Sequence, residues 1–271
     1  MFNGLSTVNI ELTSRCDKGD GTPGSGCWMC GRRKIERDYP QLTNWGDMDF
    51  GLVQQLAQEL PKGIVIQFHD NGEPLLYPYL GKALQLFEGS IRCFDTNGKT
   101  LMQKADEIID NMESLTISVI EKDVSAEALN QHMQVKAFLA RKGNHKPHII
   151  VARCLGEVES WDYEALGCII AKRVLHSPMG SFGYQKEPIK PEIGICLDLL
   201  HHLSIKRDGS VSICVRFDPE GKGILGNIKE MPLNAIWDGE KRRDYLNHHL
   251  RGERASLGLC QACNYWGVPT A

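Results

Sequence analysis

Over the first 190 residues, short runs of β-branched and apolar residues alternate with stretches of helical period. TVNIEL (7–12), GIVIQFH (63–69), SIRCFDT (90–96), SLTISVI (114–120), HIIVARC (148–154) and RVLHS (173–177) are each bounded by polar or glycine segments and predict strands. Between them, Phe50, Val53, Leu56, Ala57 and Leu60 share one helical face, which Pro61-Lys62-Gly63 closes. Leu101, Ala105, Ile108, Ile109 and Met112 predict a second helix. Ala126 to Ala140 predicts a third, with Leu129, Met133, Val135 and Leu139 as its apolar positions. Repeated β-then-α units imply an α/β fold with a parallel sheet and helices outside it. Six strands suit a partial (β/α)6 barrel better than a complete eightfold one.

The pattern changes near residue 186, where KEPIKPEIG reads as a linker. This divides the chain into a core over residues 1–187 and a small α+β domain over residues 188–271. In the second part, HHLSIKRDGSVSICV alternates on both sides of Arg207-Asp208-Gly209 and predicts a β-hairpin. GNIKEMPLNAIWDGEKRRDYLNHHL predicts one or two short helices. No internal repeat stands out.

Composition narrows the class. The chain has 271 residues, 42% of them hydrophobic, which is ordinary for a folded domain and unlike a disordered or collagenous chain. The net charge of −3 does not suggest a nucleic-acid surface, so no nucleic-acid partner is expected. No apolar run is long enough for a membrane span, and MFNGLSTVNIELTS lacks the charged and apolar regions of a secretory signal. A cytoplasmic location is the expectation. The basic runs GRRK (31–34) and KRR (241–243) read as solvated faces, which can also dock an acidic electron donor.

Ten cysteines change this picture, because disulfides are rare in intracellular chains and the spacing is uneven. Cys16, Cys27 and Cys30 follow the first predicted strand, in CDKGDGTPGSGCWMC. The four glycines of that loop (19, 21, 24 and 26) let it fold back and gather three thiols. Three thiolates leave a fourth position open on a metal or a four-iron cluster, as catalytic sites do. The alternatives are a redox CxxC and a zinc site completed by histidine. Cys196, Cys214, Cys260 and Cys263 form a second group, compatible by spacing with a zinc ribbon or an iron–sulfur site. Cys93 and Cys154 in strands, and Cys168 in a helical pattern, read as buried small hydrophobes. Cys154 is also a candidate for lining the active site.

The first cluster segment resembles the radical S-adenosylmethionine (SAM) enzymes, whose usual CxxxCxxC follows the first strand of a partial barrel. Here the second spacing matches, while the first gap is ten residues instead of three. Met29 stands where the family favours an aromatic near adenine, and Trp28 lies one place earlier. Asn71-Gly72-Glu73-Pro74, after the second strand, resembles the GGE motif that holds the methionine ammonium. Thr96-Asn97-Gly98 ends the third strand, as in many members. By the same resemblance, Ser118 lies near the ribose or methionine carboxylate, and Arg153 can pair with that carboxylate. The C-x12-G-x4-C spacing from Cys196 through Gly209 to Cys214 resembles the SPASM and twitch extensions of these enzymes. Four remaining thiols match a twitch domain with one auxiliary cluster.

The resemblance implies two 4Fe-4S clusters, bound SAM, and flavodoxin or ferredoxin as electron donor. Four thiolates on the auxiliary cluster leave no position for substrate, which suits an electron acceptor. The implied activity is radical oxidation of a small polar metabolite: an amino sugar, cyclitol or nucleoside. Alternatives are modification of a ribosomal peptide or protein, a redox-neutral epimerase that uses a cysteine such as Cys154, and a zinc-stabilised binding module. Glu11, Gln67, His69, Asp95, Arg153, His176 and Tyr184 sit at predicted strand ends and are substrate-facing candidates. Among these, Glu11, His69 and Arg153 are the catalytic candidates, His69 and Glu11 as proton acceptors. His201-His202 and His248-His249 look like ligand pairs, but neighbours on a strand point to opposite faces, which argues against the first pair.

Overall fold

The computed structural model describes residues 2–18, 27, 30–120, 125–156, 158, 160–172, 195–215, 218–261 and 263. Six strands run parallel: β1 (Thr7–Ile10), β2 (Val65–Gln67), β3 (Ile91–Thr96), β4 (Ser114–Ile120), β5 (Ile149–Leu155) and β6 (Ile169–Lys172). The first five fall within or beside the predicted runs. β6 ends where the predicted run 173–177 begins, and that run lies outside the described residues. Cys168 is not helical as expected; it is buried just before β6.

The hairpin after residue 200 does not form a separate sheet. Its first strand, β7 (His202–Ile205), pairs in parallel with β1, Thr7 opposite His202 and Asn9 opposite Ser204. The sheet continues antiparallel through β8 (Ser210–Ser212) and β9 (Ile224–Asn227), giving the order β6-β5-β4-β3-β2-β1-β7-β8-β9. Gly209 makes the β7–β8 turn at φ +89°, and a Cβ there would meet Asn227 Oδ1 at 2.8 Å. Only glycine suits both constraints.

Alternation along the strands separates two faces. Val8, Ile10, Ile66, Phe94, Leu115, Ile117, Ile150, Ala152 and Cys154 point outward into the main core, beneath the helices. Asn9, Gln67, Cys93, Asp95, Thr116, Ser118 and Arg153 occupy the other positions and line the inner face. Lateral registers confirm the rows: Asn9–Gln67, Gln67–Cys93, Asp95–Thr116 and Ser118–Arg153. Cys154 is therefore a buried core residue, as expected, and does not line the site, whereas Cys93 lies on the inner face.

The helices α1 (Gly31–Asp38), α2 (Phe50–Glu59), α3 (Leu80–Leu86), α4 (Ala105–Ile108), α5 (Ser125–Lys142) and α6 (Trp161–Ala165) belong to the core. Asp49 caps α2 by accepting from Gly51 N at 2.8 Å, and Val53 and Leu56 bury its predicted face. The second predicted helix is shorter than its pattern: a 3₁₀ turn over Leu101–Lys104 leads into α4. On α5 the predicted apolar stripe is partly wrong. Leu129 and Met133 are 62% and 60% exposed, while Val135 and Phe138 bury beside Gln131. Gln131 is drawn in because Nε2 donates to the carbonyls of Asn97 and Ser118, at 2.8 and 2.9 Å. α7 (Leu197–His201) leads into the hairpin, and α8 (Leu233–Trp237) and α9 (Glu240–Leu250) follow β9. No helix among the described residues is long and apolar enough to cross a membrane.

The two basic runs are solvated only in part: Lys241 and Arg243 are exposed, but each run buries one arginine. Arg32 on α1 is buried, donates to Ser14 O at 2.5 Å and lies 3.9 Å over the Trp45 ring. Arg242 on α9 is buried 3.4 Å over Trp237 and donates to the carbonyls of Leu199 and Leu200. Their stacking and hydrogen bonds repay the burial of charge.

The two-faced sheet makes a quantitative prediction. Phe94→Ala, at a fully buried outward position, is expected to cost about 3–5 kcal/mol of unfolding free energy. Ile91→Ala, on the same strand but half exposed on the other face, should cost less than about 1 kcal/mol. Denaturant unfolding of both variants checks the assignment.

Candidate active site

The first cysteine group sits at the C-terminal ends of the strands. Cys27 and Cys30 pack against Ile120 and Leu155, which are register partners at the ends of β4 and β5. Cys30 N donates to Cys27 O at 3.1 Å, and Cys30 stands at the N-cap of α1. Cys16 is close enough to feel the charges of Cys30, Glu73 and Arg32. Burial pushes its thiol up to about 11. Met29 and the loop glycines lie outside the described residues, as do His176 and Tyr184.

The Asn71-Gly72-Glu73-Pro74 turn passes directly under the segment that carries Cys16. Glu73 N donates to Arg15 O at 2.7 Å. A Cβ on Gly72 would lie 2.0 Å from Thr13 O and 2.8 Å from Arg15 O, so no side chain fits there. Glu73 is buried; one carboxylate oxygen accepts from Thr96 Oγ1 at 2.6 Å and from Leu75 N at 3.1 Å. The other accepts from Asn97 N at 2.7 Å. Its carboxylate therefore ties the TNG turn to the NGEP turn rather than standing open to an ammonium. Pro74 opens the following 3₁₀ turn, Pro74–Leu76. Asn97 reaches back through Nδ2 to Asp17 Oδ1 at 2.7 Å, and Lys99 Nζ donates to Asp17 O at 2.8 Å. Asp17 was not foreseen as part of this scaffold; its place beside Cys16 was the available signal.

Polar groups fill the inner face. Arg153 forms an ion pair with Asp95 across β4, and Ser118 is its neighbour in register. Cys93 lies one step below Asp95 on β3. Its thiol is pushed up to about 12, first by burial and then by Asp95. His69 Nδ1 accepts from Asp95 N at 3.2 Å. A neutral His69 thus carries its proton on Nε2 and offers a donor there, not a base. Glu11, beyond the end of β1, accepts from Asn71 Nδ2 at 3.3 Å and from Arg207 N at 3.2 Å. Burial, and then the charge of Asp70, raise its pKa against the opposing pull of Lys206. Lys206, from the hairpin, pairs with Asp70, which also accepts from Ser204 Oγ at 3.2 Å. Burial works against the Lys206 ammonium, but Asp70 and Glu11 outweigh it and raise its pKa. His201 and His202 are not neighbours on one strand: His201 ends α7, and His202, which opens β7, bonds to Asn9 on the inner face.

The second cysteine group converges on one cavity. Cys196, Cys214, Cys260 and Cys263 all line it, with apolar walls from Leu199, Ile213 and Leu259 and with Asp198, Tyr245 and His249 completing it. Among the described residues, no three His, Cys, Asp or Glu side chains close on a point as around a single metal ion. The four thiols face one shared space. Arg254 binds the carbonyls of Cys260 and Cys263, and its positive charge opposes the rise of the Cys260 thiol, which burial takes to about 12. Cys196 stands at the start of α7, Cys214 follows β8, and the last pair follows the 3₁₀ turn Arg254–Ser256.

The chain is similar to known proteins. Residues 196–264 match the SPASM family, described as an iron-sulfur cluster-binding domain. The chain is 24% identical over 277 residues to the S-adenosyl-L-methionine-dependent 2-deoxy-scyllo-inosamine dehydrogenase of Niallia circulans, covering 98% of this chain and 95% of the relative. Its fold is similar to that of BtrN in complex with AdoMet and 2-DOIA, with a TM-score of 0.63, 20% identity, and coverage of 96% of this chain and 93% of that one. It is also similar to Streptococcus suis SuiB bound to S-adenosylmethionine, with a TM-score of 0.58, 13% identity, and coverage of 97% and 73%. The chain thus joins an α/β core resembling a radical SAM barrel to a small SPASM domain with a β-hairpin and short helices.

Glu73 offers a pH test of the scaffold. Burial raises its pKa from 4.5 to about 7, despite three hydrogen bonds. Between those two values the folded state keeps a proton that the unfolded state has released. Its contribution to stability therefore falls as pH rises through that window and is flat above it. The loss should reach up to about 3 kcal/mol. Glu73→Gln should be less stable overall but lack this slope; denaturant midpoints from pH 4.5 to 8 for both proteins check it.

Proposed function

We propose that this chain, a radical SAM enzyme with a C-terminal SPASM/twitch domain, dehydrogenates a small polar metabolite of the aminocyclitol class. The observation that carries the reading is the four-thiol cavity next to a barrel whose inner face is polar. Cys16, Cys27 and Cys30 would hold one 4Fe-4S cluster with an open position, and Cys196, Cys214, Cys260 and Cys263 a second with none. When bound, these clusters and SAM would supply hydrogen-atom abstraction from a carbinol carbon and an acceptor for the remaining electron.

The chain's own residues do the rest. The Asp17–Asn97–Glu73 scaffold positions the turn carbonyls around Gly72 for the methionine ammonium, with Pro74 fixing the turn. Arg153 and Ser118 stand where they can receive a carboxylate or sugar hydroxyls, and Asp95 aims the guanidinium. A carbinol that loses a hydrogen atom and an electron must also lose its hydroxyl proton. Glu11 is the apt acceptor, since burial has raised its proton affinity. His69, with Nδ1 already accepting, is suited to donate through Nε2 to a substrate oxygen. The similar 2-deoxy-scyllo-inosamine dehydrogenase supports an aminocyclitol as first substrate. Reduced flavodoxin or ferredoxin would supply the starting electron. Arg32 and Arg242, being buried, would not form its docking surface.

Anaerobic incubation with SAM, a reductant and aminocyclitols deuterated at the carbinol carbon tests this. The expected result is deuterated 5′-deoxyadenosine and an equal amount of ketone. Glu11→Gln should lower turnover by about 100-fold or more. Deuterium transfer without a ketone would instead indicate epimerisation, and turnover with peptides alone would indicate side-chain modification. Either outcome contradicts the proposal.

A further inference from the structure

The adjacent His248 and His249, read from sequence as a possible ligand pair, serve different surroundings. His248 turns back along α9, with Nδ1 2.9 Å from Asp244 O and 3.4 Å from Asp244 Oδ1. His249 is 2% exposed and forms part of the wall of the four-cysteine cavity. Its Nδ1 accepts from Cys196 N at 3.3 Å. A nitrogen that accepts carries no proton, so the neutral ring holds its proton on Nε2. The backbone of one cysteine thereby sets both the ring orientation and its tautomer.

We propose that His249 is a positioning residue for the auxiliary cluster, presenting its Nε2–H to a cluster sulfur and raising the reduction potential. The inference rests on the reading that these four cysteines hold an iron–sulfur cluster. Four thiolates make such a cluster anionic, and reduction adds one more negative charge. A fixed N–H dipole aimed at sulfur stabilises the reduced form more than the oxidised one. The Arg254 guanidinium, bonded to the Cys260 and Cys263 carbonyls, adds positive potential on another side. The apolar walls of Leu199, Ile213 and Leu259 keep the local dielectric low, which strengthens both effects. A cluster that must take an electron from a substrate radical needs this upward bias. The cluster that delivers an electron to SAM needs the opposite.

The test uses the full chain with Cys16, Cys27 and Cys30 replaced by alanine, so that only the auxiliary cluster contributes signal. After anaerobic reconstitution, His249→Phe should retain its iron and become harder to reduce. A tenfold change in the one-electron equilibrium constant, about 59 mV, is expected. His249→Gln, which keeps an N–H donor, should recover part of it. A second measurement needs no change at His249. Pulsed electron–nuclear double resonance of the reduced cluster in D2O should detect an exchangeable deuteron that is lost in His249→Phe. If His249→Phe cannot hold iron, the deuteron signal of the unsubstituted residue decides. An unchanged potential, absence of such a deuteron, or a directly bonded nitrogen would overturn the inference. Zinc in place of iron would sink the cluster reading itself, and is told apart by metal analysis of the same sample.

Discussion

The parallel pairing of β7 with β1 is the constraint on which the rest of the molecule depends. β1 leads into the segment carrying Cys16, and β7 begins the hairpin that leads to Cys214. Four consecutive residues of each strand are in register, from Thr7–His202 to Ile10–Ile205. One ladder of backbone hydrogen bonds thus sets both cysteine groups in a single frame. The side chains reinforce it: His202 bonds to Asn9, Lys206 to Asp70, and Arg207 N to Glu11. The SPASM hairpin is an extension of the barrel sheet, and it brings charged residues to the barrel's inner face.

A second constraint is the crossing of two turns beneath Cys16. Gly72 allows the NGEP turn to touch the backbone of Thr13 and Arg15, and Glu73 then fastens the end of β3 to it. A buried carboxylate is costly, and this one is protonated more readily than a free one because its three hydrogen bonds do not fully offset desolvation. The structure accepts that cost at the place where three chain segments meet beside the candidate SAM site. Destabilised local arrangements are tolerated where function needs a fixed geometry.

Much of this architecture was legible in the sequence. Runs of β-branched residues located five strands, because a strand buried on its outer face needs them. The Arg207-Asp208-Gly209 turn located the hairpin, because only glycine fits φ +89° there. The cysteine spacing separated two groups before any geometry was known. Local pattern was weaker wherever a tertiary partner decided the outcome. Gln131 displaced Leu129 and Met133 from the buried face of α5 because two carbonyls awaited its amide. Arg32 and Arg242 looked like solvated charge, but Trp45, in the loop before α2, and Trp237, at the end of α8, fold back as their stacking partners. The placement of Cys154 was recoverable: if Arg153 faces inward, its neighbour on a strand faces outward. The pairing of β7 with β1 was not, since nothing local specifies which edge a hairpin will join.

The account centres on two cysteine groups that each hold a cluster, only one with an open position. The direct test is iron, sulfide and zinc per chain after anaerobic reconstitution, for the unsubstituted protein and for Cys260→Ala/Cys263→Ala. About eight irons falling to about four is the predicted result, as two four-iron clusters require. About four irons with one zinc, the zinc lost on substitution, would contradict the electron-accepting role of the second site. Zinc without iron would contradict the account as a whole.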